Sequence, residues 1–428
     1  MNNVLIIGSG GREHALARKF SESPQVEKIF VAPGNAGIAE IAQIVDIGVS
    51  DFAALVNFAK ENEVALTFVG PEAPLVGGIV DRFEAEGLKI FGPRANAAII
   101  EGSKSFAKDL MKKYEIPTAA YEVFSDFRSA SAYIKTKRPP FVLKADGLAA
   151  GKGVVIAETR DDADAALADM LQNKRFGEAG NTVVIEEFLS GTEFSFMAFV
   201  DGERVFPMVI AKDHKRAFDG DTGPNTGGMG AYSPVPQIPE EIVEAARLEI
   251  LLPTARAMVA EGRPFTGILY AGLIATRAGA RVIEFNARFG DPETQVILPR
   301  LESDLFEVLT EILAGEDPEL SWSDDEVLGV ILASKGYPDE YEKGFAITGL
   351  DKLSDETLIF HCGTAVCDEA TGTNEQNVSP PSKPDYITNG GRVLLAARKA
   401  KDLATARREL YRDIKNIRCK NLFYRKDI

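Results

Sequence analysis

Alternation limits what this chain can fold into. Short apolar runs end in glycine turns, and helical patterns follow them. Asn3 to Gly8 carries Val-Leu-Ile-Ile, then comes Gly8-Ser-Gly-Gly-Arg-Glu-His-Ala, then a helical pattern through Phe20. Lys28 to Gly34, Val64 to Val69 and Lys89-Ile-Phe-Gly-Pro read as further strands. Strands that alternate with helices build a parallel sheet covered on both faces. Such sheets bind ligands in the loops beyond the C-terminal ends of their strands. The fold class expected is α/β. The glycine turn before the first helix presents N–H groups to an anion. It is not a full dinucleotide fingerprint, because Glu13 takes the place of the third glycine and no acid closes the next strand. A Rossmann-like unit for a smaller phosphate is expected; the alternative is a turn that only packs helix on strand. Glu72, in the loop after Val69, suits a ribose hydroxyl or an amine, or is a solvated turn carboxylate.

At 428 residues the chain is too long for one ordinary core, so several domains are expected. Its net charge of −16 disfavours a nucleic-acid binder but leaves an anionic small substrate open. Cys362, Cys367 and Cys419 show no zinc spacing and read as free thiols. The N-terminus lacks a signal-peptide pattern, and no apolar run is long enough to span a bilayer. A cytoplasmic enzyme without membrane contact is the expectation.

The middle of the chain changes character, towards α+β. Ser103 to Tyr114 reads as a helix capped by Ser103. A smaller module starts near Val123. Its strand Phe141-Val-Leu-Lys-Ala-Asp leads into Gly147-Leu-Ala-Ala-Gly-Lys-Gly, with Val154 to Ala157 as the return strand. This is not a Walker loop, since Lys152 is followed by Gly153 and Val154. With Lys144 before it, the loop suits a phosphate cover; the alternative is a plain mobile hairpin. The strand from Thr182 ends in Glu186-Glu187-Phe188-Leu189, whose backbone suits an adenine edge, and Glu193 suits ribose hydroxyls. Asp213 to Tyr232 reads as a long irregular loop, with Lys215 and Arg216 beside the amides of Gly227, Gly228 and Gly230. His214 reads as a surface histidine, and Glu240 to Glu261 as a helix broken at Pro253.

Val282 to Thr294 carries the densest chemistry. Strand alternation sets Ile283, Phe285 and Ala287 on one face and Glu284, Asn286 and Arg288 on the other. Glu284 and Asn286 are hard oxygen ligands suited to magnesium shared with a polyphosphate. Arg288 suits phosphate. The alternative is a solvated edge strand. Beyond Val327 come more strands and an amphipathic helix from Leu403 to Ile414, with few obvious catalytic groups. Thr371 to Pro384 reads as a mobile polar loop.

In this order, Gly10-Gly-Arg-Glu-His-Ala, Val69-Gly-Pro-Glu-Ala-Pro-Leu-Val, Glu101-Gly-Ser-Lys, the Lys144–Gly153 segment, Asp213-His-Lys-Arg, the Asp221–Pro234 glycine stretch, Arg288-Phe-Gly-Asp-Pro-Glu-Thr-Gln and the closing Phe423-Tyr-Arg-Lys-Asp-Ile form a specific set. The chain resembles the ATP-grasp ligases, and among them the glycinamide ribonucleotide synthetase (phosphoribosylamine–glycine ligase) family of purine biosynthesis. The resemblance implies a Rossmann-like domain at 1–102, an ATP-grasp domain at 103–326 with a mobile lid at about 123–189, and a small C-terminal domain at 327–428. It implies that ATP, as co-substrate, meets Lys104, Lys144, Gly151, Gly153, Glu186, Glu187, Phe188, Leu189 and Glu193. Glu284 and Asn286 would hold Mg2+ or Mn2+. Gly10, Gly11, Arg12, Glu72, Asp213, Lys215, Gly227, Gly228, Met229, Arg288 and Asp291 would face glycine and 5-phosphoribosylamine. Arg288, Asp291 and Lys144 would be catalytic. The implied reaction passes through glycyl phosphate and releases ADP and phosphate. Transient contacts with neighbouring purine-pathway enzymes are a further expectation.

Two departures stand out. The strand from Gly267 to Thr276 lacks the metal-binding acid that many ATP-grasp enzymes carry there. Cys362 replaces a more usual alanine, outside the expected chemistry. The rival readings are another ATP-grasp carboxylate–amine ligase, a Rossmann dehydrogenase, which Glu13 opposes, and a non-catalytic nucleotide-binding regulator, which Lys144, Glu284, Asn286 and Arg288 together oppose.

Overall fold

The computed structural model describes residues 2–148, 153–367 and 386–428. Gly151 and the whole Thr371–Pro384 stretch lie outside the described residues.

The apolar runs at the N-terminus form a five-stranded parallel sheet. Its order is Gln43–Ile44, Val26–Pro33, Asn2–Gly8, Val64–Val69, Ile90–Phe91. Val4, Leu5, Ile6 and Ile7 are all fully buried, as expected for a strand covered on both faces. Strand order reverses around the first strand. The turns after Gly8 and Val69 therefore open at the same edge, the usual ligand position of such a sheet.

A second, antiparallel sheet runs Tyr121–Phe124, Val183–Glu187, Phe141–Ala145, Val154–Ala157. Helices Phe127–Thr136 and Arg160–Leu167 cover it. Leu143, Ile185, Ala163 and Met170 belong to a core separate from the main one. A third sheet, Arg204–Pro207, Thr192–Asp201, Thr266–Thr276, Gly279–Asn286, is antiparallel throughout. The lid side is tied to it at Thr118, whose hydroxyl donates to the Val282 carbonyl at 2.7 Å.

The fourth large sheet corrects one expectation. Its order is Lys212–Asp213, Gly230–Ser233, Glu326–Ser334, Arg392–Ala400, Thr357–His361. The first two strands come from the stretch expected to be irregular, so that stretch is built into the C-terminal sheet. Between them, Arg216–Phe218 and Thr222–Asn225 form a hairpin. Pro253 does not end its helix either. The chain passes from Glu240–Ala246 through a π turn, Arg247–Leu251, into Leu252–Ala260. The π turn directly before Pro253 is the local irregularity that accompanies its missing N–H.

The face assignment around Glu284 is also corrected. Gly272 pairs with Glu284, but Leu273 pairs with Val282, leaving Ile283 as the extra residue of a bulge. Val282 is therefore buried in the core, and Ile283 lines the same cleft as Glu284.

Candidate active site

A cleft of about 430 Å3 lies where the N-terminal sheet, the small antiparallel sheet, the Glu284 strand and the C-terminal sheet meet. Glu284 stands within it. Burial raises its carboxyl pKa, but Lys215, Lys144, Lys104 and Arg288 together hold it below the ordinary value. A carboxylate ringed by four cations stays charged. Asn286 beside it accepts from Arg288 Nη2 at 3.2 Å. One carboxylate and one amide oxygen suit a small hard cation that takes its other ligands from phosphates and water. Among the described residues no cluster of three His, Cys, Asp or Glu could hold a metal by itself.

The cations come from three elements. Lys104 opens the helix Lys104–Lys113, capped by the Ser103 hydroxyl, which accepts from Phe106 N–H at 3.1 Å. The same helix end holds Asp146, just before the glycine loop, through Ser105 N–H at 2.6 Å. Lys104 Nζ donates to the Gly147 carbonyl at 3.3 Å, and burial lowers its pKa. Lys144, buried, donates to the Ile283 carbonyl at 2.8 Å and stands 2.8 Å from Glu186.

Glu186 has a further partner that sequence reasoning missed. Lys108 Nζ meets it at 2.7 Å, and both side chains are almost sealed from water. Burial pulls Lys108 down to about 8, against the pull of Glu186. The Glu186 side chain thus bridges two buried ammonium groups. Its backbone pairs with Tyr121 on one side and Val142 on the other. Glu187 accepts from Ala120 N–H at 3.0 Å, while Phe188 is exposed. Any backbone reading of an adenine edge would fall to Phe188 and Leu189. Glu193 lies on the next strand, half exposed, 3.5 Å from Lys215. Gly153 lines the cleft.

The other half of the cleft is organised by Arg288. It stands 3.1 Å from Glu101 and 3.4 Å from Glu72, and burial is outweighed by these carboxylates so that its charge is secured. Glu101 is buried, accepts from Ala287 N–H at 2.7 Å, and has its pKa raised by burial. Arg12 donates to Glu13 at 2.8 Å and to the Phe289 carbonyl at 2.9 Å. Glu13 also accepts from Gly10 N–H at 2.6 Å. A Cβ on Gly70 would stand 1.9 Å from that carboxylate. Glu13 therefore fills the space beneath the two glycine turns, which explains its place in the motif.

Asp291 is held from the far end of the chain. Arg392 Nη2 stands 3.0 Å from it, and Gln295 donates to it at 2.7 Å. Burial raises the Asp291 pKa, but Arg392 and Arg12 bring it below the ordinary value. Arg392 also donates to the carbonyls of Gly227 at 2.8 Å and Asp291 at 2.7 Å. The C-terminal sheet thus supplies a cation to the cleft, where few catalytic groups were expected. Cys362 is likewise not remote. A Cβ on Gly11 would stand 2.6 Å from its sulfur.

The glycine stretch behaves differently from the expectation of free amides. Gly227 N–H donates to the Tyr337 hydroxyl at 3.0 Å, Gly228 N–H to Thr226 at 3.0 Å, and Met229 N–H to the His214 carbonyl at 2.7 Å. Gly227 lines the cleft, and Met229 is fully buried in the core. Asp213 and Lys215 line it as well. Burial pushes Asp213 up to about 7; Glu293 and Glu193 add to that, while Lys215 opposes it. Glu293, unremarked in the sequence, accepts from the Tyr270 and Ser195 hydroxyls at 2.5 and 3.0 Å. His214 is half-buried rather than on the surface.

Three family models match in succession. They are the phosphoribosylglycinamide synthetase N domain at residues 2–101, its ATP-grasp (A) domain at 102–294 and its C domain at 327–428. The chain belongs to the phosphoribosylglycinamide synthetase family. A phosphoribosylamine–glycine ligase of Halalkalibacterium halodurans is 58% identical over 426 residues, covering 100% of this chain and 96% of the relative. One from Listeria monocytogenes is 53% identical, covering 100% and 99%. The crystal structure of phosphoribosylamine–glycine ligase from Thermotoga maritima superposes with a TM-score of 0.85 at 33% identity, covering 100% of both chains. The biotin carboxylase domain of a Hydrogenobacter thermophilus carboxylase, solved with MgADP, ADP and bicarbonate, shares the fold. Its TM-score is 0.71 at 15% identity, covering 99% of this chain and 91% of that one. The chain therefore has the ATP-grasp architecture, and among its described residues no helix is long and apolar enough to cross a membrane.

Proposed function

We propose that the chain joins glycine to 5-phosphoribosylamine at the expense of ATP, giving glycinamide ribonucleotide, ADP and phosphate. The observation that carries this reading is the division of one cleft. Glu284 and Asn286, with Lys104 and Lys144, occupy one half; Arg12, Glu72, Arg288 and Asp291 occupy the other. A phosphoryl group passed between the halves needs positioning and charge neutralisation more than a nucleophile–base pair.

In the first step the glycine carboxylate attacks the γ-phosphate of ATP, forming glycyl phosphate and ADP. Lys104 and Lys144 neutralise the phosphates. Glu284 and Asn286 would hold Mg2+ or Mn2+, which supplies charge neutralisation across the phosphates when bound. In the second step the amine of phosphoribosylamine attacks the acyl carbon, and phosphate leaves as the amide forms. Arg288 keeps its cation between the halves because Glu101 and Glu72 balance it. Asp291, kept ionised by Arg392, suits the ammonium of glycine. Arg12 and the first glycine turn suit the phosphate of phosphoribosylamine. The separately cored 121–187 module serves as a lid that excludes water from the acyl phosphate.

The test is ADP release with ATP and magnesium across a panel of amino acids, with and without phosphoribosylamine generated in place. Full turnover should require glycine and phosphoribosylamine together. ADP release that does not depend on glycine when phosphoribosylamine is present would overturn the substrate assignment.

A further inference from the structure

Behind the strand that carries Asp213 lies a second cavity of about 950 Å3, open to solvent. Asp213 and Lys215 line the catalytic cleft, whereas His214 between them lines this cavity. Alternation along an extended segment produces that split. Three consecutive residues are thus the wall between two chambers. His214 is fixed in the wall by its backbone, which donates to Gly230 at 2.9 Å and accepts from Met229 at 2.7 Å. Its Nδ1 is buried and has no hydrogen-bond partner among the described residues. Buried polar atoms are rarely left unpaired, which sets this side chain apart in the wall.

The opposite wall is the helix Leu403–Ile414 and the tail to Ile428. Arg407, Arg408, Lys415 and Lys426 line it. Among the described residues Arg407, Lys415 and Lys426 have no carboxylate within 4.0 Å, and Arg408 has only Glu409 at 3.8 Å. Four basic side chains converge on this one cavity in a chain of net charge −16. Asp427 also lines the cavity, but Arg425 engages its carboxylate at 2.7 Å and Gly220 N–H at 2.8 Å. Tyr232, Tyr411 and Tyr424 line it as well, with Leu328 and Leu403. Guanidinium and ammonium groups suit phosphate, and aromatic and apolar side chains suit a planar ring.

We propose that this cavity binds a phosphorylated, ring-bearing metabolite of the nucleotide class, and that its occupancy reaches the catalytic cleft through Asp213-His214-Lys215. The binding stands without the ligase reading; its effect on catalysis rests on that reading. The experiment uses the whole chain with the catalytic cleft filled by one stoichiometric equivalent of a non-hydrolysable ATP analogue and magnesium. AMP, inorganic phosphate and adenosine are then titrated separately by calorimetry, with His214 followed by NMR; the chain has only 3 histidines. AMP should bind as one further equivalent and shift the His214 ring signals. Phosphate and adenosine should each bind about tenfold more weakly or worse, since each lacks half of the contacts. Lys415→Gln with Lys426→Gln should weaken that equivalent by about tenfold or more, with melting temperature and basal turnover unchanged. In turnover assays without the analogue, at ATP near its KM, AMP should change the KM for glycine in the wild type and not in the double variant. No further equivalent on the loaded enzyme, equal binding by the double variant, or phosphate as tight as AMP would overturn the site. An unchanged KM with AMP bound would overturn the coupling. Failure of the ligase reading would appear as absent glycine-dependent ADP release, with the calorimetric equivalent still present.

Discussion

Arg392 meets Asp291 at 3.0 Å, joining the first residue of a C-terminal strand to the acidic residue of the Arg-Phe-Gly-Asp turn. The same guanidinium holds the carbonyls of Gly227 and Asp291. Truncating it leaves a buried carboxylate without its main partner, a loss of about 3–5 kcal/mol for a broken buried pair. Arg392→Met should also lower kcat/KM by about a hundredfold, the scale of misplacing a positioned group by roughly 1 Å, with the KM for glycine rising. Steady-state kinetics with each substrate varied in turn checks this; a change confined to ATP would place Arg392 elsewhere in the reaction.

Glu284 is ionised because four cations surround it. Glu284→Gln keeps its shape and removes its charge. Turnover should fall by about a thousandfold, the scale of removing one preorganised electrostatic group. The circular dichroism spectrum should stay as it is. A variant active at ordinary magnesium would remove Glu284 from the metal site.

Lys108 and Lys104 lie on the same helix but do different work. Lys108 is locked to Glu186 in a nearly dry pair, whereas Lys104 reaches the Gly147 carbonyl beside the cleft. Lys108→Met should cost about 1.5–3 kcal/mol of stability, the scale of a hydrogen bond to a charged group, since Lys144 still pairs with Glu186; chemical denaturation measures it. Lys104→Met should leave stability nearly unchanged and raise the KM for ATP. Equal melting curves for both variants would contradict the division.

Acid should loosen the contact between the N-terminal helix and the C-terminal sheet. His14 accepts from the His361 backbone N–H at 2.9 Å, and the two rings are 5.6 Å apart. Burial holds His14 down at about 3 and His361 at about 4. A histidine with a depressed folded pKa stays neutral while the unfolded chain takes up protons. The unfolded state then binds more protons, so stability falls as pH drops from about 6.5 towards 4. The pair should account for on the order of 2–4 kcal/mol across that window. Denaturation series at pH 7 and pH 4.5 measure it, and His14→Gln should flatten the difference. A wild type equally stable at both values would refute the assignment.

Much of the site was legible because its signals are local. Ser103 as a cap, Lys144 before a glycine loop and Glu284-x-Asn286 on a strand all follow from spacing and backbone preference. What was missed sits across long separations. Glu101 meets Arg288, Lys108 meets Glu186, and Arg392 meets Asp291. Each is an ordinary charged residue in its own segment, with no periodicity to mark it. The Glu101-Gly-Ser-Lys motif was the one signal that could have drawn attention to Glu101.

The sequence by itself determined the alternation of strand and helix, the separate small sheet, and the residue types available for phosphate, metal and carboxylate. Those are set by steric preference and by side-chain period, which act over a few residues. Tertiary structure alone decided that Ile283 bulges and turns Val282 back into the core. It decided that Glu13 fills the space under two glycine turns, and that strands at Lys212–Asp213 and Gly230–Ser233 join the C-terminal sheet. It also decided that Arg12 donates to the carbonyl of Phe289, 277 residues away. Burial makes these contacts strong and closure of the whole chain brings them together; neither is a property of any short segment.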